Sequence, residues 1–171
     1  MATQHDVPSR DFWTVTPFHF STPDGWVAKQ TVDHLAFMHV DGNTDINCAI
    51  GWKRVAGSMD LRRLIQINSL ALKKRFPEAI ISLSRYGRLR DRVAYMRVAE
   101  FDHPELGPYG QIYSAFFGPR FGSDRPVEFF ELTGAFPAAD NERMKEIIAI
   151  VESFQFRFAD AKVSPLQAKG A

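Results

Sequence analysis

Residues 45–76 read DINCAIGWKRVAGSMDLRRLIQINSLALKKRF, and they decide the fold because they describe one strand feeding one long amphipathic helix. Ile46, Cys48, Ile50 and Trp52 alternate with Asn47, Ala49, Gly51 and Lys53, so the first four share one face of a strand and the others share the opposite face. Val55-Ala56-Gly57 ends the strand. Ser58 or Asp60 can accept the free amide protons of a first helical turn, and Leu61, Leu64, Ile65 and Leu72 follow at helical spacing. Pro77 closes the helix, since proline disfavours helical geometry in the residue before it, here Phe76. The stretch specifies a fold and carries no catalytic signature.

Working outward toward the C-terminus, the pattern returns to strands. Ala79 to Leu83 is rich in β-formers, Tyr86-Gly87 is expected to bend, and residues 92–101 alternate Val93 and Tyr95 against Ala94, Met96 and Val98. HPELGP reads as a loop. GQIYSAFFGPRF and PVEFFELTGAF are two further strands, and the glycines at 107, 110, 118 and 122 are read as turns at their corners. A last helix starts near Asp140, a good cap, with Met144, Ile147, Ile148 and Val151 on one side. Toward the N-terminus, Phe12, Thr14, Thr16, Phe18 and Phe20 share a strand face, with Pro17 placing it at an edge or bulge. Pro23-Asp24-Gly25 and Asp41-Gly42-Asn43 are turns flanking short strands between Trp26 and Val40. Strands, helix, four strands, helix, joined by hairpin-length links, predict an α+β domain: an antiparallel sheet of about six to eight strands with two main helices packed on it. Residues 1–10 read as a flexible polar arm, 11–158 as a single domain and 159–171 as a flexible polar tail.

A chain of 171 residues with 45% hydrophobic and 13% aromatic content can bury its own core, which excludes disorder for its bulk. The net charge of +1 conceals an asymmetry. Residues 53–97 hold 12 basic and 3 acidic side chains, whereas the flanks are acidic on balance. This arrangement predicts either a basic face or simple pairing with the acidic flanks. Cys48 is a lone thiol on an apolar strand face, which excludes an internal disulfide and reads as core. The N-terminal residues lack a secretory pattern, and no window of about 18 apolar residues could form an integral membrane segment, so the expected location is cytoplasmic.

Catalytic motifs are absent from the sequence: there is no G-x-S-x-G, no phosphate-cradling glycine loop and no CxxC, and nothing calls for a cofactor or a metal. His34 and His39 with Asp33 and Asp41 come nearest to a ligand set, but positions five apart on a strand face opposite ways. Asp102 and His103 place an acid beside a base in the HPELGP region, without a nucleophile to partner them.

The strand followed by PDGW, then DINCAIGWKRVAGSMDLRRL, then a glycine-bend strand, two long strands and a terminal helix ending in ESFQF resembles the Mog1/PsbP-like fold. Within that fold the chain is most similar to the LpqN/LpqT family, with the DUF1795 families, which include adaptor chaperones of type VI secretion, as relatives. The resemblance covers residues 12–156. It implies binding of other proteins and supplies no catalytic residues. The lipoproteins of that family begin with a signal and a lipid-bearing cysteine, whereas Cys48 lies far inside this chain.

The expected function is therefore non-enzymatic and adaptor-like. If both helices cover a single face of the sheet, Trp26, Phe37, Phe117 and Phe129 would form an open aromatic face for a protein client or a homodimer. The alternative is that these rings are buried in the monomer. A second candidate is a basic patch of Arg85, Arg88, Arg90 and Arg92, with nucleic acid disfavoured as a partner by the near-neutral overall charge. The rival from another class is a small-molecule carrier or hydrolase with a pocket between sheet and helices, near Asp102 and His103.

Overall fold

The computed structural model describes residues 3–7, 15–90, 92–119 and 125–157. The elements are β1 (Thr3–Val7), β2 (Phe18–Thr22), β3 (Trp26–Lys29), β4 (Ala36–Val40), β5 (Asn43–Val55), α1 (Leu61–Arg75), β6 (Ile80–Leu89), β7 (Arg92–His103), β8 (Gly107–Phe117), β9 (Val127–Pro137), α2 (Asn141–Ser153) and β10 (Gln155–Phe156). The order is the α+β one expected, with four strands between the two helices. The strands form a seven-stranded antiparallel sheet, ordered β3-β4-β5-β9-β8-β7-β6, and a small sheet ordered β1-β2-β10.

The organising stretch folds as its pattern dictates. Ile46, Cys48 and Ile50 are buried along one face of β5. The Asp60 side chain accepts the amide of Arg62 at 3.0 Å, capping α1, whose buried side is Leu64, Ile65 and Leu72. Asp140 caps α2 by accepting the amide of Arg143 at 3.1 Å, and Ile150 joins Ile147 and Val151 on its buried side.

The expectation that both helices lie on one side of the sheet is overturned. α2 and the small sheet cover one face, where Met38, Cys48, Ile50, Ile112, Phe116, Phe130, Leu132 and Phe136 meet Phe18, Phe20, Ile147, Ile150, Val151, Phe154 and Phe156 in the main core. α1 packs on the opposite face, with Leu64 and Ile65 against Tyr95, Tyr113, Ala115 and Phe129, and Leu72 near Ala79 and Ala99. The domain is therefore layered helix, sheet, helix plus small sheet. Adjacent phenylalanines serve both layers: Phe116 stacks on Phe130 under α2, while Phe117 meets Phe129 edge-on under α1.

Three local expectations are corrected as well. Thr3–Val7, read as part of a loose arm, forms β1 and pairs with Phe18–Thr22. Tyr86-Gly87 does not bend: β6 runs on to Leu89, and the chain reverses at Arg90, whose φ is +56°. Gly110 is not a corner but a strand position beneath Phe136, where a Cβ would stand 2.5 Å from the ring. Residues 8–14, which include Phe12 and Thr14 of the first predicted strand, Gly122, and the tail from 158 onward lie outside the described residues.

Candidate functional site

The two helices leave different parts of the large sheet uncovered. The buried residues that pack with α1 come from β7, β8, β9 and the residue preceding β6, and β5 joins them through the partly buried Val55 at its end. Up to Lys53, the β3-β4-β5 half of the face on the α1 side is therefore bare of helix among the described residues. Pairing register places Val27, Lys29, Phe37, His39, Ala49, Gly51 and Lys53 on it.

Phe37 is the large ring of this bare half, and it is half-buried. The Lys29 ammonium lies 5.7 Å from its centroid, and the His34 and His39 rings stand 6.2 and 5.8 Å away. Val27, beside it, is 40% exposed. His39 donates from Nδ1 to the Val40 carbonyl at 2.9 Å, and His34 Nδ1 is 3.1 Å from the Thr31 hydroxyl. The His39 imidazole thus holds local backbone, the His34 imidazole holds a neighbouring hydroxyl, and both rings lie near Phe37.

The boundary with the covered half is charged. Lys53 Nζ pairs with Glu131 Oε2 at 3.1 Å and lies 5.0 Å from the Phe129 centroid. Tyr113 donates its hydroxyl to Glu131 Oε1 at 2.6 Å, and burial together with that bond pushes the phenol well above its ordinary range. Beneath α1, Arg97 is 1% exposed, donates to Ser69 Oγ at 3.1 Å and Gln111 Oε1 at 2.9 Å, and lies 4.9 Å from the Tyr113 centroid. Burial lowers its pKa from the usual arginine value, because the interior disfavours the cation.

The four aromatic residues predicted to form one open face do not do so. Trp26 lies on the α2 side, is 7% exposed, and donates its indole N–H to Glu146 Oε2 at 2.9 Å. Phe129 is fully buried under α1. Phe117 is half-buried against Phe129, so of the four only Phe37 stands on the bare half. Trp26 falls on the opposite face of the sheet, and α1 encloses Phe129 and Phe117 on the face that a one-sided arrangement would leave open.

The basic patch is also divided. Arg85 and Arg88 are exposed along β6, and Arg90 donates from Nε to the Glu152 carbonyl at 3.2 Å. Arg92 instead turns into the core layer, 4.4 Å from the Phe156 centroid and 5.1 Å from that of Phe116. Asp102 and His103 are strand residues paired with Pro108 and Gly107, and His103 Nδ1 accepts the amides of Glu105 and Leu106 at 3.2 and 3.3 Å. That histidine locks a hairpin. A groove of about 430 Å³ between β6, β7 and α2 is lined by Leu83, Met96, Val98 and Ile148 but not by Asp102 or His103. The acid-base pair and the groove of the small-molecule rival are thus separate places. Among the described residues no helix is long and apolar enough to cross a membrane.

No family model and no curated protein sequence matches the chain. Solved structures do. The chain is similar to LpqN of Mycobacterium tuberculosis, involved in cell envelope biogenesis, with a TM-score of 0.63, 15% identity and 90% of each chain covered. It is similar to the cyanobacterial PsbP of Synechocystis sp. PCC 6803, with a TM-score of 0.60, 12% identity and 92% of this chain and 94% of the other covered. It is also similar to the Ran-binding protein Mog1p of Saccharomyces cerevisiae, with a TM-score of 0.54, 5% identity and coverage of 91% and 95%. At these identities the likeness is one of fold. The architecture is Mog1/PsbP-like, as the resemblance in the sequence implies, with LpqN among its neighbours.

Proposed function

We propose that this Mog1/PsbP-like domain is a non-catalytic binding module that holds another polypeptide on the bare β3-β4-β5 half of its large sheet. The observation that carries the reading is Phe37: a large, half-buried ring on a helix-free sheet face, with exposed Val27 beside it and the Lys29 ammonium 5.7 Å from its centroid. An aromatic anchor with a charged rim is the usual composition of a protein-binding surface. The fold is compatible with such a role, since its yeast neighbour is a Ran-binding protein. The partner is a protein client or a second copy of the chain.

The test is site-specific photo-crosslinking from position 37 in the native host, with purification of partners and their identification by mass. Partners are expected to crosslink from 37 and to be lost in Phe37→Glu, while the melting curve of the purified variant stays cooperative. Retention of the same partners by Phe37→Glu and Val27→Glu together would count against this surface. Light scattering on the same proteins separates the two kinds of partner, because only self-association makes the molar mass fall in the variants.

A further inference from the structure

We infer that β6 is a second docking edge, which takes an extended acidic segment of a partner polypeptide as an additional antiparallel strand. The proposal rests on the reading of the domain as a polypeptide-binding module, but it uses a different surface. β6 ends the seven-stranded sheet: it pairs with β7 on one side, and among the described residues no strand pairs with the other. A free edge of that kind offers unpaired amides and carbonyls to an incoming strand. The one irregularity in its register lies between Ile81 and Leu83, which leaves the ladder from Leu83 to Leu89 unbroken.

The side chains around this edge are those of a surface that awaits cover. Ile80 is 67% exposed, Tyr86 44% and the neighbouring Val93 63%. On the α2 side the edge opens onto the groove of about 430 Å³, with Leu83, Met96 and Val98 as apolar lining and Ile148 as the helix wall. The Ser114 hydroxyl lines the same groove, 1% exposed and with no hydrogen-bond partner. Gly87 lies in the strand beside it, and a Cβ there would meet nothing within 4 Å. The glycine therefore leaves a gap through which a partner's side chain can lean into the groove.

Charge selects the occupant. Arg85 and Arg88 are exposed, neither has an ion-pair partner among the described residues, and β6 itself contains no Asp or Glu. Arg62 lies over Tyr86, 6.0 Å from its centroid, on the α1 side of the same edge. A second copy pairing β6 with β6 would set arginines from both chains along one short ladder without a carboxylate, which disfavours self-pairing. An antiparallel partner strand instead places carboxylates opposite Arg88 and Arg85, three residues apart, with a bulky apolar residue opposite Gly87. The recognised pattern is acidic, apolar, any residue, acidic.

The probe is a capped synthetic peptide with Glu-Leu-Thr-Glu between β-branched flanks, its binding read by fluorescence anisotropy and by amide hydrogen exchange. Binding is expected with new protection confined to residues 83–89. The double variant Arg85→Glu, Arg88→Glu should lose roughly tenfold in affinity, the worth of two exposed ion pairs, and should regain it with the Lys-Leu-Thr-Lys peptide. A peptide N-methylated on the amides that face the edge should fail to bind, a loss that side-chain contact alone would not produce. Phe37→Glu should bind the peptide as the parent does, which keeps this test separate from that of the bare half-face. The inference is overturned if the parent does not bind, if charge reversal or N-methylation leaves affinity unchanged, or if protection appears at residues 27–37.

Discussion

Gly134 of β9 lies directly beneath Ile147 of α2, so close that a Cβ at position 134 would overlap the Ile147 Cγ2 atom. The close approach lets Ile147, Ile150 and Val151 reach the core at complete burial, and it sets the depth at which the helix rests on the sheet. Gly134→Ala should destabilise the fold by about 1–3 kcal/mol through overpacking, measured by urea denaturation. Combining it with Ile147→Ala, which removes the Cγ2 methyl that a Cβ at 134 would meet, should cost less than the sum of the two single changes. Additive costs would mean that the two positions do not share that contact.

Arg97 gives a prediction of a different kind, because its guanidinium is buried with neutral partners, Ser69 and Gln111, and makes no ion pair among the described residues. Its Nε–H has no hydrogen-bond partner. A buried cation of this sort costs desolvation, and its stem and planar head fill the space between α1 and the Tyr113 ring. Arg97→Met, which keeps most of the volume and removes the charge, should change stability by less than about 1.5 kcal/mol. Arg97→Ala, which also opens a cavity, should cost about 2 kcal/mol more. Thermal melts of the two variants decide the matter, and equal losses would show that charge rather than filling is what matters there.

The helices were legible in the sequence because each has a capping aspartate, at 60 or 140, that agrees with an apolar stripe, and the first also has a stop at Pro77. The face each helix covers was not legible, since alternation shows that a strand has two faces without saying which element lies on either. A clue was available in Phe129-Phe130 and Phe116-Phe117. Adjacent aromatics on central strands mark a sheet covered on both sides, which is the arrangement found. The bare half was partly readable too. The second face of β5 carries Asn47, Ala49, Gly51 and Lys53, small or polar residues that suit a helix-free surface. The reversal at Arg90 had no glycine to announce it, and the glycine before it, Gly87, drew the expected bend to the wrong place.

Asp140 holds the first turn of α2 through a single side-chain bond, its Oδ1 accepting the Arg143 amide at 3.1 Å. Asp140→Ala should therefore lower stability by about 1 kcal/mol, while Asp140→Asn, which keeps an acceptor, should lose only part of that. Chemical denaturation of both variants is the check. An alanine variant as stable as the parent would mean that this amide finds another acceptor or water.

Cys48 lies on β5 with 0% exposure, and burial pushes its thiol up to about 12 from an ordinary value of 9.0. In the unfolded chain the thiol ionises as the pH passes 9.0, whereas in the folded chain it stays protonated until about 12. The contribution is complete below the unfolded value and is lost as pH rises through that window, because the unfolded state alone gains the thiolate. Tyr113 shifts in the same direction, so the comparison has to be made against Cys48→Ala, in which the tyrosine is unchanged. The parent should lose stability between pH 9 and 12 more steeply than that variant in denaturant titrations. Below that window a thiol reagent should label Cys48 only as fast as the β5 region opens, so labelling should accelerate in Gly134→Ala. Rapid labelling of the native parent, or equal pH slopes for parent and Cys48→Ala, would show that the thiol is not enclosed between β5 and the α2 layer.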